Sequence, residues 1–288
     1  MLTMPEASGQ RLIHPTNIPT LDKVLGGGVP SGTTVLILSE PGAGGTELLQ
    51  TSAMQYCNSQ IYDEPAPKGT WHPSEYHYMS LTTGKNEFKN RIIELFNANK
   101  YHMFNEMIDK IHYTDFADIY FSRTHVPYNW YGSKDPVYGM LEMPVSDDFG
   151  GLTVIMDKIT HLPEESIVVI DSLTALLPYC TKSPDTWLEL VTFMRGLTRA
   201  SEIWKVTIVF LLTAGVLNKG QETELVDTCD GVIHLFWQKE TETKRQRQMY
   251  LQKFDGVLPL IDQRDMVIFN VNVTTKTGFE ITNMRTVA

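Results

Sequence analysis

The clearest pattern in the chain is a set of short runs of aliphatic and β-branched residues. Three of them, at residues 34–38, 166–171 and 206–212, contain few polar positions and no regular alternation. Runs of this kind are typical of parallel strands that are covered on both faces. The pattern therefore predicts a mainly parallel sheet at the centre of the protein.

Segments with helical spacing separate these runs. Helices are predicted to begin at Thr46 and Pro184, to cover roughly 86–99, and to run from Gly151 to about His161. Further strands are predicted at residues 76–81, 111–114, 230–236, 247–253 and 266–274. Strands and helices alternate first, and a meander of strands then closes the sheet. The predicted fold class is α/β, with helices flanking the sheet and antiparallel strands at its C-terminal edge.

The chain contains no internal repeat, so a single domain is predicted at residues 16–288, after an extended N-terminal arm at residues 1–15. Two long loops are predicted, at residues 58–75 and 122–150. The second mixes prolines, glycines and aromatic residues without either period, and loops of this length tend to be functional. It is predicted to be a lid packed by its own aromatic residues or a surface that docks a protein partner.

Composition narrows the classes of function. The net charge of −10 and the pI near 5.3 disfavour DNA as a partner, because non-specific DNA affinity comes mainly from lysine and arginine. No apolar run approaches the ~20 residues that a membrane span needs, and the N-terminus lacks the layout of a signal peptide. A cytoplasmic protein without membrane attachment is predicted. The three cysteines and eight histidines show no metal-ligand spacing, so no structural metal is predicted.

One stretch carries candidate chemistry. Residues 34–60 predict a buried strand, a glycine-rich turn and a helix, an arrangement whose backbone N–H groups and helix dipole favour a phosphate. The Walker A pattern requires a glycine, four residues, and then Gly-Lys-Ser/Thr. Here Ser39 replaces the first glycine and Gly45 replaces the lysine, whereas Gly44 and Thr46 are retained. The predicted nucleotide-contacting residues of this stretch are Gly42, Ala43, Gly44, Gly45, Thr46 and Glu47, the last of which adds a negative charge.

A second candidate residue is Asp171, which ends the most strongly apolar of the predicted strands. An aspartate at the carboxyl end of a central parallel strand is the Walker B arrangement that holds Mg²⁺. If a nucleotide binds, Thr46 and Asp171 are therefore the predicted Mg²⁺ ligands. The alternative interpretation is that Asp171 caps the helix that follows it, and the two roles are compatible.

Four segments together resemble a known family. They are residues 18–32 (Ile-Pro-x-Leu-Asp-x-x-Leu-Gly-Gly-Gly-x-Pro-x-Gly), 168–173 (Val-Val-Ile-Asp-Ser-Leu), 230–233 (Asp-Gly-Val-Ile) and 247–256 (Arg-x-x-x-x-x-Lys-x-x-Gly). Over about residues 16–282 the chain is similar to KaiC-like and Rad55-like proteins of the RecA superfamily, of the archaeal type. The resemblance implies a RecA-like P-loop core, ATP or ADP with Mg²⁺ as cofactor, and assembly into rings or filaments.

Carried onto this sequence, the resemblance implies that Thr46 and Asp171 contact Mg²⁺. It also implies that Lys253 reaches the γ-phosphate on a neighbouring subunit. Three departures stand against hydrolysis: Gly45 replaces the phosphate lysine, Thr82 and Thr83 replace the paired glutamates that activate water, and Asp255 replaces an arginine. Each lost group is normally worth several kcal/mol of the barrier to phosphoryl transfer, so a pseudo-ATPase is predicted.

Three hypotheses follow for the function. The first is a regulatory or scaffolding protein with weak or no ATP binding, which assembles with itself or with a related RecA-fold subunit. The second is a divergent ATPase in which Lys253 or Lys85 of a neighbour replaces the lost lysine. The third, which the acidic composition disfavours, is a recombination mediator that binds single-stranded DNA. If the glycine loop is intact, Gly45→Lys alone is expected to raise the affinity for nucleotide.

Overall fold

The computed structural model describes residues 11–96, 104–121, 124–127, 130–131, 151–239, 244–255 and 267–286. The strands in chain order are β1 (Ile13–His14), β2 (Val29–Pro30), β3 (Thr34–Ser39), β4 (Tyr76–Ser80), β5 (Ile111–Asp115), β6 (Ile167–Asp171), β7 (Thr207–Thr213), β8 (Gly231–Lys239), β9 (Arg245–Phe254), β10 (Val267–Thr274) and β11 (Gly278–Thr286). The helices are α1 (Pro19–Val24), α2 (Gly45–Ile61), α3 (Lys85–Phe96), α4 (Phe104–Ile108), α5 (Ala117–Phe121), α6 (Gly151–Thr160), α7 (Leu177–Cys180), α8 (Pro184–Trp204) and α9 (Lys219–Thr228).

The centre of the protein is a nine-stranded sheet with the order β11-β10-β9-β8-β3-β7-β6-β4-β5. The strands from β8 to β5 in this order are parallel, with β3 paired to both β7 and β8. The strands β9, β10 and β11 continue the sheet in antiparallel pairing. This confirms the predicted α/β class, with a mainly parallel sheet and an antiparallel C-terminal edge.

The sheet is covered on both faces, which explains the nearly continuous apolar runs of its central strands. In β3, Val35 and Ile37 pack on one face with residues of α1 to α4, and Leu36 and Leu38 pack on the other face with residues of α6 to α9. All four side chains are almost completely buried. Because successive side chains of a strand point to opposite faces, a strand covered on both sides requires apolar residues at every position.

The structure also differs from the sequence pattern at several elements. Helix α2 continues to Ile61, into the segment 58–75 that is predicted to be a loop. Helix α9 is absent from the prediction because its sequence is mostly polar, and the Asn218 side chain caps it by accepting from the Gln221 N–H. Strand β11 lies where the pattern predicts only a tail, and it pairs with β10. Among the described residues no helix is long and apolar enough to cross a membrane.

Two predictions fall largely outside the described residues. Only residues 124–127 and 130–131 of the segment 122–150 are described, so its predicted role as a lid or docking surface stays a prediction. Residues 1–10 of the predicted arm are likewise outside. The part of the arm that is described lies against the body of the protein, because β1 pairs antiparallel with β2.

The arm is held by a buried histidine. The Nδ1 atom of His14 lies 2.8 Å from the carbonyl oxygen of Trp71, and its Nε2 atom lies 3.0 Å from Oε2 of Glu165. Both partners can accept a hydrogen bond from a ring N–H of His14. Burial raises the pKa of Glu165, but hydrogen bonds from His14 and Ser31, together with the charges of His14 and Lys205, outweigh it, and the pKa is lowered overall.

We expect Glu165→Gln to lower the free energy of unfolding by about 1–3 kcal/mol near neutral pH, because it removes the carboxylate that pairs with the buried His14. A carboxyl group whose pKa is lowered by folding stabilises the protein above its unfolded-state pKa of 4.5, and this stabilisation is lost as the pH falls through the folded-state pKa. Urea denaturation between about pH 3 and pH 7 should therefore show a smaller pH dependence in the variant.

The control for this prediction is Glu202→Gln. Glu202 pairs with Arg11, but both side chains are largely exposed, at 65% and 43%. An exposed pair of this kind contributes less than about 1 kcal/mol, so the control should stay close to the wild type. Equal effects of the two substitutions would mean that the His14–Glu165 pair does not stabilise the fold.

Candidate functional site

The glycine-rich segment follows β3, the middle strand of the nine-stranded sheet. Strand β3 ends at Ser39, and α2 begins at Gly45, so the loop between them lies at the carboxyl end of the strand. Gly42 and Gly44 have φ angles of +73° and +116°, which L side chains rarely adopt. Ala43 and Gly44 are buried, and Gly44 occupies the N-cap of α2. The predicted strand, turn and helix are therefore all present in the structure.

Ser39 and Leu211 crowd the position of Gly45. A Cβ atom added at Gly45 would lie 2.6 Å from Cβ of Ser39 and 2.8 Å from Cδ1 of Leu211. Both distances are shorter than carbon atoms tolerate without a shift of the neighbouring groups. In the Walker A pattern the position of Ser39 is a glycine and the position of Gly45 is a lysine. The two changes are thus reciprocal, and a lysine at position 45 does not fit beside Ser39.

Two side chains, one from β8 and one from β9, contact the outside of the loop. The indole Nε1 of Trp237 donates to the carbonyl of Pro41 at 3.1 Å, and the Nε of Arg247 donates to the carbonyl of Gly42 at 2.9 Å. The guanidinium of Arg247 also lies 4.6 Å from the centre of the Trp237 ring, and Glu40 Oε2 accepts from the Trp237 backbone N–H. The three hydrogen bonds join residues about 200 positions apart, which explains why sequence reasoning misses Trp237 and its role.

Asp171 lies at the carboxyl end of β6, separated from β3 by β7. Its Oδ2 atom accepts a hydrogen bond of 2.6 Å from the hydroxyl of Tyr78 on β4. Burial raises the pKa of Asp171, which the bond from Tyr78 offsets only in part. Asp171 does not have the alternative role of a helix cap, because Ser172 occupies the N-cap of the short 3₁₀ turn Leu173–Ala175.

Thr82 and Thr83 follow the carboxyl end of β4, so they lie at the same end of the parallel strands as Asp171. The N–H of Thr83 donates to Oγ of Ser80 at 3.0 Å, and the carbonyl of Thr83 accepts from the hydroxyl of Tyr113. Thr82 is exposed. A threonine hydroxyl is not ionised near neutral pH, so neither side chain can take a proton from water as a glutamate does.

The two lysines considered as substitutes have different surroundings. The Nζ of Lys253 donates to the carbonyls of Asp227 and Cys229, at 3.2 and 2.6 Å, and these lie at the C-terminal end of α9. The last carbonyls of a helix lack partners within the helix, and a cation there stabilises it. Lys253 therefore has a structural role within its own chain. Lys85 is exposed at the first position of α3.

The fold and this site together define a RecA-like P-loop architecture. Comparison with protein-family models finds no match, and no curated protein matches in sequence. Among solved structures, the crystal structure of the KaiC-like protein PH0186 from the hyperthermophilic archaeon Pyrococcus horikoshii OT3 is similar, with a TM-score of 0.57 and 19% sequence identity. The match covers 95% of this chain and all of that chain. At this identity it establishes a KaiC-like, RecA-like fold.

Proposed function

We propose that this protein is a RecA-fold protein that does not hydrolyse ATP and that acts as a regulatory or scaffolding partner. The observation that carries the proposal is the packing of Ser39 against Gly45. A working phosphate loop keeps this space free for the lysine that reaches the β- and γ-phosphates. Here the space holds the serine side chain and Leu211, so the loss of the lysine is built into the packing around the loop.

The other residues around the loop also lack what hydrolysis of Mg²⁺-ATP requires. Phosphoryl transfer depends on cations that neutralise the phosphates and on a residue that orients the attacking water. Thr46 and Asp171 are the residues that would hold Mg²⁺, but Asp171 is already hydrogen-bonded to Tyr78 and its burial disfavours the charged form. Thr83 offers no base. Any residual nucleotide binding would rest on the backbone N–H groups around Gly44.

The second hypothesis, an ATPase completed by a neighbour's lysine, has less support. Lys253 would have to leave two carbonyl oxygens of its own chain, at a cost in free energy of unfolding for each lost hydrogen bond. Lys85 is the better substitute because it is exposed. The net charge of −10 argues against the third hypothesis, a mediator on single-stranded DNA. The partner that we favour is a second copy of this chain or a related RecA-fold subunit.

The test is release of phosphate by the purified full chain with Mg²⁺ and ATP, at protein concentrations from dilute to high enough for oligomers. We expect no release above that of Asp171→Asn, a matched variant that keeps the acceptor for Tyr78 and removes the carboxylate. Calorimetric titration with ATP and ADP should give weak or no binding. A sizing column in the same buffers should give the same oligomeric state with and without nucleotide.

Release that exceeds the Asp171→Asn control would overturn the proposal. If that release also rises with protein concentration and is lost in Lys85→Ala, the divergent ATPase with a lysine in trans is the correct hypothesis. Lys85→Ala is suited to this purpose because the side chain is exposed, so its removal should not disturb folding.

A further inference from the structure

A cluster of ionisable side chains lies at the amino ends of β4 and β5, the end of the strands opposite to the glycine loop. Glu75 directly precedes β4, and His77 lies two residues later, so the two side chains point to the same face. His112 on β5 is the direct cross-strand partner of His77 in the parallel register. The topology therefore brings two imidazoles and a carboxylate together on one face of the sheet.

The three side chains lie beside one another, with one possible ligand atom of each within 4.8 Å of the other two. The Nε2 atom of His77 lies 2.8 Å from Oε2 of Glu75, and the Nε2 atom of His112 lies 3.9 Å from the same oxygen. The two imidazole rings stack with their centres 4.7 Å apart and their planes at 22°.

These separations are close to those of a metal centre. Zinc binds imidazole nitrogen and carboxylate oxygen at about 2.0–2.2 Å in a tetrahedron, so two of its ligand atoms lie about 3.3 Å apart. The distances of 2.8 and 3.9 Å fall on either side of this value. A metal would replace the proton that His77 and Glu75 now share, and the His112 ring would have to turn out of its stack with His77 and move toward the other two ligands.

Burial supports the same arrangement. The side chain of His77 is 7% exposed, whereas that of Glu75 is 34% exposed and that of His112 is 55% exposed. The buried ligand is thus fixed by packing, and the most exposed ligand is free to adjust and faces the side from which an ion enters.

We propose that Glu75, His77 and His112 bind one transition-metal ion, which joins the edge strand β5 to β4. Two imidazoles and a carboxylate, with an open fourth position for water, are a ligand set that suits Zn²⁺. This replaces the expectation from the sequence that the protein has no structural metal. The spacing of His77 and His112 along the chain resembles no metal motif, and only the strand register brings them together.

One nearby charge opposes the ion. Lys158 of α6 acts on His77 electrostatically, as does His112. A positive charge near the site weakens the binding of a cation there. Lys158 is exposed, so its replacement by glutamine should leave the fold intact and should strengthen metal binding. This gives a variant whose expected effect has the opposite sign to the loss of a ligand.

The experiment uses the full chain without an affinity tag, treated with a chelator and then dialysed. Titration with Zn²⁺ by calorimetry should give one ion per chain, and Co²⁺ should give the visible absorption of a tetrahedral site. The midpoint of thermal unfolding should rise with Zn²⁺, because the ion binds the folded state. His112→Gln and Glu75→Gln should each weaken binding by at least about tenfold.

The matched control is His161→Gln. His161 is also an exposed histidine with an acidic neighbour, Asp157, but it has no second imidazole beside it among the described residues. Its replacement should leave the affinity unchanged. The absence of saturable binding would overturn the proposal, and so would equal affinities of His112→Gln and His161→Gln. Because the cluster is at the other end of the sheet from the glycine loop, the outcome does not depend on the function proposed above.

Discussion

Replacing Gly45 by lysine should destabilise the folded protein by about 1–3 kcal/mol and should bring no gain in nucleotide affinity. The first atom of the new side chain would meet Ser39 at 2.6 Å and Leu211 at 2.8 Å. Ser39 is itself buried on a central strand and cannot move without shifting β3. This expectation reverses the one drawn from the sequence, in which a lysine alone repairs the loop.

The repair should require both positions. Ser39→Gly removes two of the three close contacts at position 45, which leaves only the flexible end of Leu211 to adjust. We therefore expect the double variant Ser39→Gly with Gly45→Lys to recover much of the stability that Gly45→Lys loses. Urea denaturation of the wild type, both single variants and the double variant would give the coupling free energy of the pair.

The control for this series is Gly196→Ala in the middle of α8. A Cβ atom at Gly196 meets nothing within 4 Å, so the substitution should stabilise the protein by about 0.5–1 kcal/mol through helix propensity. A titration of the same variants with a fluorescent nucleotide then separates the effect on nucleotide affinity from the effect on stability. If Gly45→Lys proves as stable as the wild type and binds ATP more tightly, the loop does not have the shape described and the proposed function loses its main support.

A second large effect is expected at Gly28, which lies against the arm. A Cβ atom there would come within 2.1 Å of the carbonyl oxygen of His14 and 2.8 Å of Cα of Pro15, and the φ angle of Gly28 is +145°. Both contacts are with backbone, so no side-chain rotation relieves them. We expect Gly28→Ala to cost about 3 kcal/mol or more, through steric overlap together with backbone strain.

Gly69→Ala separates the two causes. Gly69 also has a positive φ angle, of +84°, but an added Cβ atom meets nothing within 4 Å. Its replacement should cost only the strain of the left-handed backbone, about 1–2 kcal/mol. In Gly28→Ala the pair of His14 with Glu165 should separate as well, so the pH dependence of its stability should resemble that of Glu165→Gln. Limited proteolysis should cut the arm faster in Gly28→Ala than in Gly69→Ala, and equal rates would mean that the arm is not packed as described.

Much of the fold is predictable from the sequence because the signals are local. Buried parallel strands such as β3, β6 and β7 need apolar residues at nearly every position, so each of them is visible as a continuous apolar run in the sequence. The turn after β3 is marked by its glycines. Helix α9 escapes prediction because its stability comes from a cap and from packing of Leu225, and neither produces an apolar stripe.

The contacts of the candidate site are less predictable. Sequence reasoning places Asp171 at the end of its strand, but it does not indicate that the hydroxyl of Tyr78 donates a hydrogen bond to its carboxylate. Likewise, the resemblance assigns Lys253 to a phosphate on a neighbouring subunit, whereas the structure pairs it with two carbonyls of its own chain. These partners come from other strands and helices, and the distance between them along the chain carries no signal.

The sequence by itself determined the class of fold, the position of the glycine loop and the absence of the phosphate lysine. Each of these depends on residue types at fixed local spacing. Only the tertiary structure decided that Ser39 and Leu211 crowd the position where that lysine side chain would begin, and that His77 and His112 meet beside Glu75. The reason is physical: whether two side chains collide or share an ion depends on strand register and packing, which bring together residues that are distant in the chain.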